Sequence, residues 1–294
     1  MLPLLVLSLS AVVIERGRAL LSTGLQMEVL RAPAASQATP PPVLFVHGTF
    51  HGAWCWEPWM EQFAAAGVEC HAVSLRGTSG SPAEQKSVRI SEHVEDLRSL
   101  VRDRFHVPPV LVGHSFGGAS CLKYLEAGGP ASGCVLLCSV PPSGNAPMVG
   151  RFLRRSLRQA WAITAGFVLK RAATDAAACR ELFFDERTTD AELAAYLPRL
   201  EADSRIGLDV GYFTRNLPSK QADAETGRAL WLARAPPALV IGAERDAIVD
   251  REGVEETARF LGTGAEFFDL PHDCMLCAGR ERVAARIVEW VQAL

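Results

Sequence analysis

The chain lacks a long apolar run, a basic tract and an excess of either charge, and each lack removes a class of protein. Its most apolar stretch, residues 1–14, is shorter than the ~20 residues a membrane-spanning helix needs. Thirty Lys and Arg stand against 33 Asp and Glu, a formal net charge of −3, and without a basic tract nucleic acid is excluded as the main partner. Intrinsic disorder requires low hydrophobicity and high net charge, whereas 49% of these residues are hydrophobic. With 24 Gly and 18 Pro in 294 residues, collagen-like and low-complexity classes fail as well. No internal repeat is present. What remains is a globular chain, long enough for two domains or for one large α/β domain with an insertion.

Eight cysteines raise the question of a disulfide framework. The chain is far longer than the small secreted scaffolds that need such staples. Cys134 and Cys138 lie within an apolar run, where a thiol packs as a small hydrophobe. Cys274 and Cys277 form one lone C-x-x-C with no second pair and no nearby second histidine at ligand spacing, a weak basis for a metal or redox role. Reduced core thiols are expected. No Lys or Arg precedes the apolar start, and Glu15-Arg16-Gly17-Arg18 follows it. A cleavable signal, an organelle-directing leader and a misassigned start all fit this pattern. Residues 1–20 are therefore expected outside the fold.

From there the pattern alternates strand and helix. Strands are predicted around Gln26–Leu30, Val43–Val46, Glu69–Leu75, Val110–Val112, Cys134–Ser139, Ala238–Ile241 and Glu266–Leu270. Helices are predicted over Pro58–Ala66, Ile90–Phe105, Gly118–Ala127 and Glu281–Leu294. Short continuous apolar strands between helices imply a mainly parallel sheet with helices on both faces. Between Ser139 and Ala238 lies far more chain than the ~12 residues of a crossover. That stretch is rich in Ala, Arg and Leu and helical in pattern. The economical organisation is a core of residues 21–145 and 233–294, with residues 146–232 a helical cap over the carboxyl ends of the strands, where α/β sheets place their sites.

After Val110-Leu-Val112 comes Gly113-His114-Ser115-Phe116-Gly117-Gly118 and then a helix: G-x-S-x-G in strand–turn–helix context. A serine held in a strained turn there presents its hydroxyl above the sheet, at the positive end of a helix. An ordinary cap serine is the plainer alternative, and the flanking strand and helix argue for the nucleophile. A serine hydroxyl needs an imidazole to take its proton and a third group to hold that imidazole. Of seven histidines, His272, in Leu270-Pro-His-Asp-Cys274, alone lies in a loop after a late strand. His47 and His51 belong to the first loop, His114 to the elbow, and His71, His93 and His106 to earlier elements. For the carboxylate, Asp246 in Gly242-Ala-Glu-Arg-Asp246 is best placed; Glu244 is nearer the strand and Asp250 starts the next helix. Asp273 reads as a surface or local hydrogen-bonding group. The order Ser115, Asp246, His272 is that of a known hydrolase class. Two backbone N–H donors for the developing alkoxide are expected from Thr49, in the loop His47-Gly-Thr-Phe-His-Gly-Ala-Trp54, and from Phe116. Trp54, Trp56 and Trp59 are either core or an apolar pocket wall.

These segments resemble the α/β-hydrolase fold superfamily, in the manner of serine hydrolases of the AB hydrolase-1 type. Val46-His-Gly-Thr-Phe-His-Gly-Ala-Trp-Cys-Trp56, Cys138-Ser-Val-Pro-Pro-Ser-Gly-Asn145 and His272-Asp-Cys-Met-Leu276 resemble plant and algal members, often plastid-directed. The first and last blocks are also similar to the hydroxynitrile lyase and methylesterase branch. The resemblance implies an eight-stranded sheet, the Ser115–His272–Asp246 triad and a cap. It also points to a plastid or secretory location, with the cytoplasm as the alternative. One departure stands out: Ser74-Leu75 precedes Arg76-Gly where the family often has an acidic residue.

Hydrolysis of a carboxylic ester through an acyl-enzyme is the leading expectation, on a small-molecule ester with an apolar acyl or aromatic part, needing no cofactor and no metal. Serine at the elbow argues against epoxide hydrolases and dehalogenases, which use a carboxylate. The alternatives are a lipase, thioesterase, methylesterase or hydroxynitrile-lyase-like enzyme of the same fold, a triad-retaining small-molecule receptor, and a scaffold without turnover. Membrane contact through the Trp-rich loop or Arg151–Arg158 is an open alternative to a solvated helix face.

Overall fold

The strands that read as continuous apolar runs occupy the middle of one eight-stranded sheet. The computed structural model describes residues 12–34 and 40–294. Its strands are β1 (Glu15–Leu20), β2 (Gln26–Ala32), β3 (Val43–Val46), β4 (Cys70–Val73), β5 (Val110–His114), β6 (Gly133–Leu137), β7 (Ala238–Ala243) and β8 (Ala265–Phe268). They lie side by side as β1-β2-β4-β3-β5-β6-β7-β8. Only β1 with β2 and β2 with β4 pair antiparallel. Every residue of β3, β5 and β6 is buried, as strands covered on both faces must be.

Strand β1 corrects one expectation. Residues 15–20, expected outside the fold, pair along their whole length with β2 through a turn at Gly24. The reason is visible in the charges that disguised them. Arg16 meets Glu57 and Glu15 meets Arg31, so this is an edge strand kept polar on its open side, with Ala19 buried. Residues 1–11 lie outside the described residues.

Helices α1 (Glu57–Ala65), α2 (Ile90–Arg104) and α3 (Phe116–Glu126) follow the early strands, and α4 (Asn145–Arg155), α5 (Leu157–Val168), α6 (Arg171–Thr174), α7 (Ala176–Phe183), α8 (Asp190–Asp203) and α9 (Val210–Arg215) all fall between β6 and β7. Then come α10 (Arg251–Phe260) and α11 (Arg280–Gln292). Trp56 and Trp59 are core: both are fully buried, and Trp56 stacks on Phe45 of β3 with ring centroids 4.8 Å apart. Of the two alternatives left open for them, core and pocket wall, these two take the first. All eight cysteines are free and buried.

The segment between β6 and β7 is tied to the core at defined points. Asp203, at the end of α8, accepts hydrogen bonds from Trp54 Nε1 at 2.8 Å and from Ser79 N at 2.8 Å. Arg151 makes a two-pronged ion pair with Asp250. A two-residue parallel ladder joins Ser87–Val88 to Gly207–Leu208. Arg155 and Arg158 pair with Glu252 and Glu181, so three of the arginines between 151 and 158 are engaged in ion pairs on the protein surface.

Candidate active site

Strand order reverses between β4, β3 and β5, and the loops leaving β3 and β5 emerge side by side because Val46 lies opposite Gly113. Such a switch point is where an open α/β sheet holds its ligand. Ser115 stands there between β5 and α3 with φ 52° and ψ −120°, a conformation costly for a non-glycine residue. The turn is held by Ser115 N donating to Leu137 O at 3.0 Å and by Val140 N and Gly118 N donating to Ser115 O. Two glycines make the approach of the neighbouring loop feasible. A Cβ on Gly48 would meet Ser115 Cβ at 2.8 Å, and one on Gly117 would meet the Val46 and His47 carbonyl oxygens at 2.2 and 2.4 Å. The β3 loop therefore lies directly against the elbow.

His272 and Asp246 come together at the next strand ends. Asp246 follows β7, His272 follows β8, and His272 Nδ1 lies 2.7 Å from Asp246 Oδ2, both side chains about 1% exposed. Asp246 Oδ1 accepts from Ile248 N and Val249 N at 2.8 and 2.9 Å. The carboxylate is thus aimed by backbone, and Nδ1 must carry the proton toward it. Nε2 of His272 has no hydrogen-bond partner among the described residues, and no hydrogen bond joins it to Ser115 Oγ. Ser115 and His272 are linked through His114, whose Nε2 lies 3.1 Å from the His272 carbonyl oxygen and whose ring centroid is 4.7 Å from that of His272. Burial pushes His114 well below the ordinary histidine range, so it is neutral.

Thr49 and Phe116 donate no hydrogen bond through their backbone N–H groups among the described residues, and both line one cavity of about 50 Å³ with Gly48, Phe50, His93 and Leu208. Ser115 is not among its walls. Phe50, at φ 67°, stacks on Phe167 of α5, which meets Phe183 of α7, which in turn stacks on His272. An aromatic path from the helical segment thereby spans the distance between the first loop and the base.

Two features were missed in the sequence. Asp273 is fully buried, not at the surface, and its Oδ2 lies 2.8 Å from His51 Nε2; with the two 222 positions apart in the chain, no local pattern reveals the pair. Cys138, at φ 45°, places its Sγ within 4.8 Å of the Asp246 carboxylate and the His272 ring. A hydrogen bond with Cys274, and burial after it, raise its thiol well above the ordinary range, so it sits beside the dyad as an uncharged group. Where the sequence departs from the family pattern, Ser74 Oγ donates to Glu28 Oε2 at 2.6 Å and accepts from Ala53 N.

The model of the alpha/beta hydrolase family matches residues 43–286. Pheophorbidase of Raphanus sativus is 39% identical over 84 residues, 28% of this chain and 32% of that protein. A pFDCC methylesterase of Arabidopsis thaliana is 39% identical over 87 residues, again 28% and 32%. The chain thus aligns with about a third of the length of these relatives. Among solved structures, an esterase from Exiguobacterium antarcticum superposes with a TM-score of 0.70 at 16% identity, covering 95% of this chain and 100% of that one. An epoxide hydrolase from Mycobacterium thermoresistibile does so at 0.69 and 17%, covering 94% and 98%. At such identities the likeness is one of fold.

Proposed function

Since this chain belongs to the alpha/beta hydrolase family, we propose that it is a hydrolase that cleaves a carboxylic ester through an acyl-enzyme on Ser115. The hydrogen-bonded His272–Asp246 pair at the strand ends beside the strained Ser115 turn is the observation that carries this reading. Ser115 Oγ attacks the ester carbonyl while His272 Nε2 takes its proton. Asp246 holds Nδ1–H and stabilises the imidazolium that forms. The oxyanion is received by the free N–H groups of Thr49 and Phe116, each such donor worth about 3–4 kcal/mol of barrier. The alcohol leaves with the proton from His272, and water repeats the sequence on the acyl-enzyme. The missing contact between Ser115 and His272 is consistent with this: in unliganded hydrolases the hydrogen bonds of catalysis are often long and tighten with substrate.

The cavity beside the two donors suits a short arm of the ester. At about 50 Å³ it is roughly a third of the ~150 Å³ apolar cavity that takes up benzene, room for a methoxy-sized group. Phe50, which lines this cavity and is backed by Phe167, gives the larger, aromatic or acyl part an apolar neighbour. A methyl ester of an apolar acid is the substrate form that fits both features, and methylesterases occur among the similar proteins. Turnover of short p-nitrophenyl esters and of aryl methyl esters by the wild type, and its loss in Ser115→Ala, tests the reading. Undiminished turnover in Ser115→Ala, or none in the wild type, contradicts it.

A further inference from the structure

Thr49 stands between two peptide carbonyls, and a buried imidazole holds each of them. On one side His47 Nδ1 lies 2.7 Å from Gly48 O; on the other His51 Nδ1 lies 2.8 Å from Thr49 O. Carbonyl oxygens only accept, so both Nδ1 atoms carry protons. The far nitrogens differ. His47 Nε2 accepts from Leu75 N at 2.9 Å, which makes this ring neutral. His51 Nε2 faces the Asp273 carboxylate at 2.8 Å, an arrangement that favours the imidazolium form, in which both ring nitrogens donate. His47, His51 and Asp273 are 2%, 1% and 0% exposed. Asp273 Oδ1 has no hydrogen-bond partner among the described residues, and His114 Nε2 is 3.9 Å from it. The carboxylate's charge is therefore directed at His51. Between the two imidazoles, Phe50 is kept at φ 67°, a region that bulky residues avoid.

We propose that His47, His51 and Asp273 are positioning residues that pre-set the Thr49 N–H for the oxyanion, the His51–Asp273 pair joining the oxyanion loop to the base loop at the residue next to His272. This rests on the reading of Thr49 as an oxyanion donor. The Gly48 carbonyl and the Thr49 N–H belong to one peptide group, so a hydrogen bond from His47 to the carbonyl polarises the N–H as well as aiming it. His51 fixes the plane of the following peptide and leaves Thr49 no freedom to swing. Donors already aimed cost no reorganisation when charge develops, which is the source of their effect. The charge states agree with the geometry. Burial lowers His47 to about 4. Burial would lower His51 too, but the charge and hydrogen bond of Asp273, with the Thr49 carbonyl, raise it above the ordinary histidine value.

The test uses His51→Ala, His51→Asn, Asp273→Asn and the double variant His51→Ala/Asp273→Asn, assayed on p-nitrophenyl acetate. Trifluoroacetophenone, whose ketone adds to the serine as a tetrahedral oxyanion, serves as probe. The expected result is a fall in kcat of about tenfold or more in His51→Ala and Asp273→Asn with KM little changed. The ketone's affinity should fall in parallel with kcat/KM, the double variant should be no worse than His51→Ala, and His51→Asn, which can still donate to Thr49 O, should recover part of the loss. Folding is checked by thermal melting, and if Asp273→Asn does not fold, the two His51 variants decide. Wild-type kcat in folded His51 variants, or equal losses in KM and ketone affinity, overturns the proposal. Ser115→Ala run alongside separates the two readings: activity without Ser115 defeats the proposed function itself, whereas an inactive Ser115→Ala beside unaffected His51 variants defeats only the clamp.

Discussion

Residues 272 and 273 are neighbours in the chain, yet each enters a different imidazole–carboxylate pair. In the first, His272 gives Nδ1 to Asp246 and keeps Nε2 without a partner among the described residues, while both oxygens of Asp246 are filled. In the second, Asp273 keeps one oxygen unfilled while both nitrogens of His51 are engaged. In the proposed mechanism the same two functional groups, at similar distances, serve opposite ends. A base must keep a vacant nitrogen toward the substrate, whereas a strut must have none. What distinguishes chemistry from support here is the atom left over.

Substitutions at the first pair should have the largest effects. His272→Ala is expected to lower kcat by about four orders of magnitude or more, and Asp246→Asn by about 10⁴ through loss of the correct tautomer. Losses at His51 as large as these would erase the distinction between base and strut. Next comes the loop between the pairs. Gly48→Ala places a Cβ 2.8 Å from Ser115 Cβ, and pushing the donor away by about 1 Å should cost about 10² in kcat with both pairs left in place. Steady-state kinetics on a short p-nitrophenyl ester measure all three.

The two loop histidines sharpen the contrast through pH. His47 is lowered to about 4. Above its unfolded value near 6.5 its neutral burial contributes fully, and as pH falls from there toward 4 the unfolded chain takes up a proton that the folded one refuses. About 3 kcal/mol of stability should be lost across that window. His51 is raised, so its contribution is complete below about 6.5 and is lost as pH rises through the higher folded value. Urea unfolding of wild type and His47→Ala between pH 7 and 4.5 should show the variant with the shallower decline. An identical slope would mean that His47 is not the titrating group. The smallest effect is expected at the tie to the helical segment. Trp54→Phe removes one donor to Asp203 while Ser79 remains, lowering stability by about 2 kcal/mol and leaving kcat within about twofold.

Much of this was legible in the sequence because the signals are local. The buried strands read as unbroken Val and Leu runs, the elbow as a glycine-flanked serine after a strand, and the His272 and Asp246 loops as residues just past strand ends. Other features were hidden because they depend on the partner. Glu15 to Leu20 carries too many charges to look like a strand, and it is one because β2 covers a single side of it. Nothing near Asp273 in the chain announces His51. Trp56 closes the motif that carries Thr49 and Trp59 follows it in α1, but the chain after Gly52 directs both into the core against Phe45. Local pattern places the groups that follow strand ends; long-range packing decides which of them are filled.

The most direct measurement is labelling of the wild-type protein with a fluorophosphonate, followed by digestion and mass-spectrometric mapping of the adduct. The account predicts a single adduct on the peptide carrying Gly113–Gly118, at Ser115, with labelling greatly slowed in His272→Ala. An adduct on another serine, or no adduct on folded protein, would contradict it.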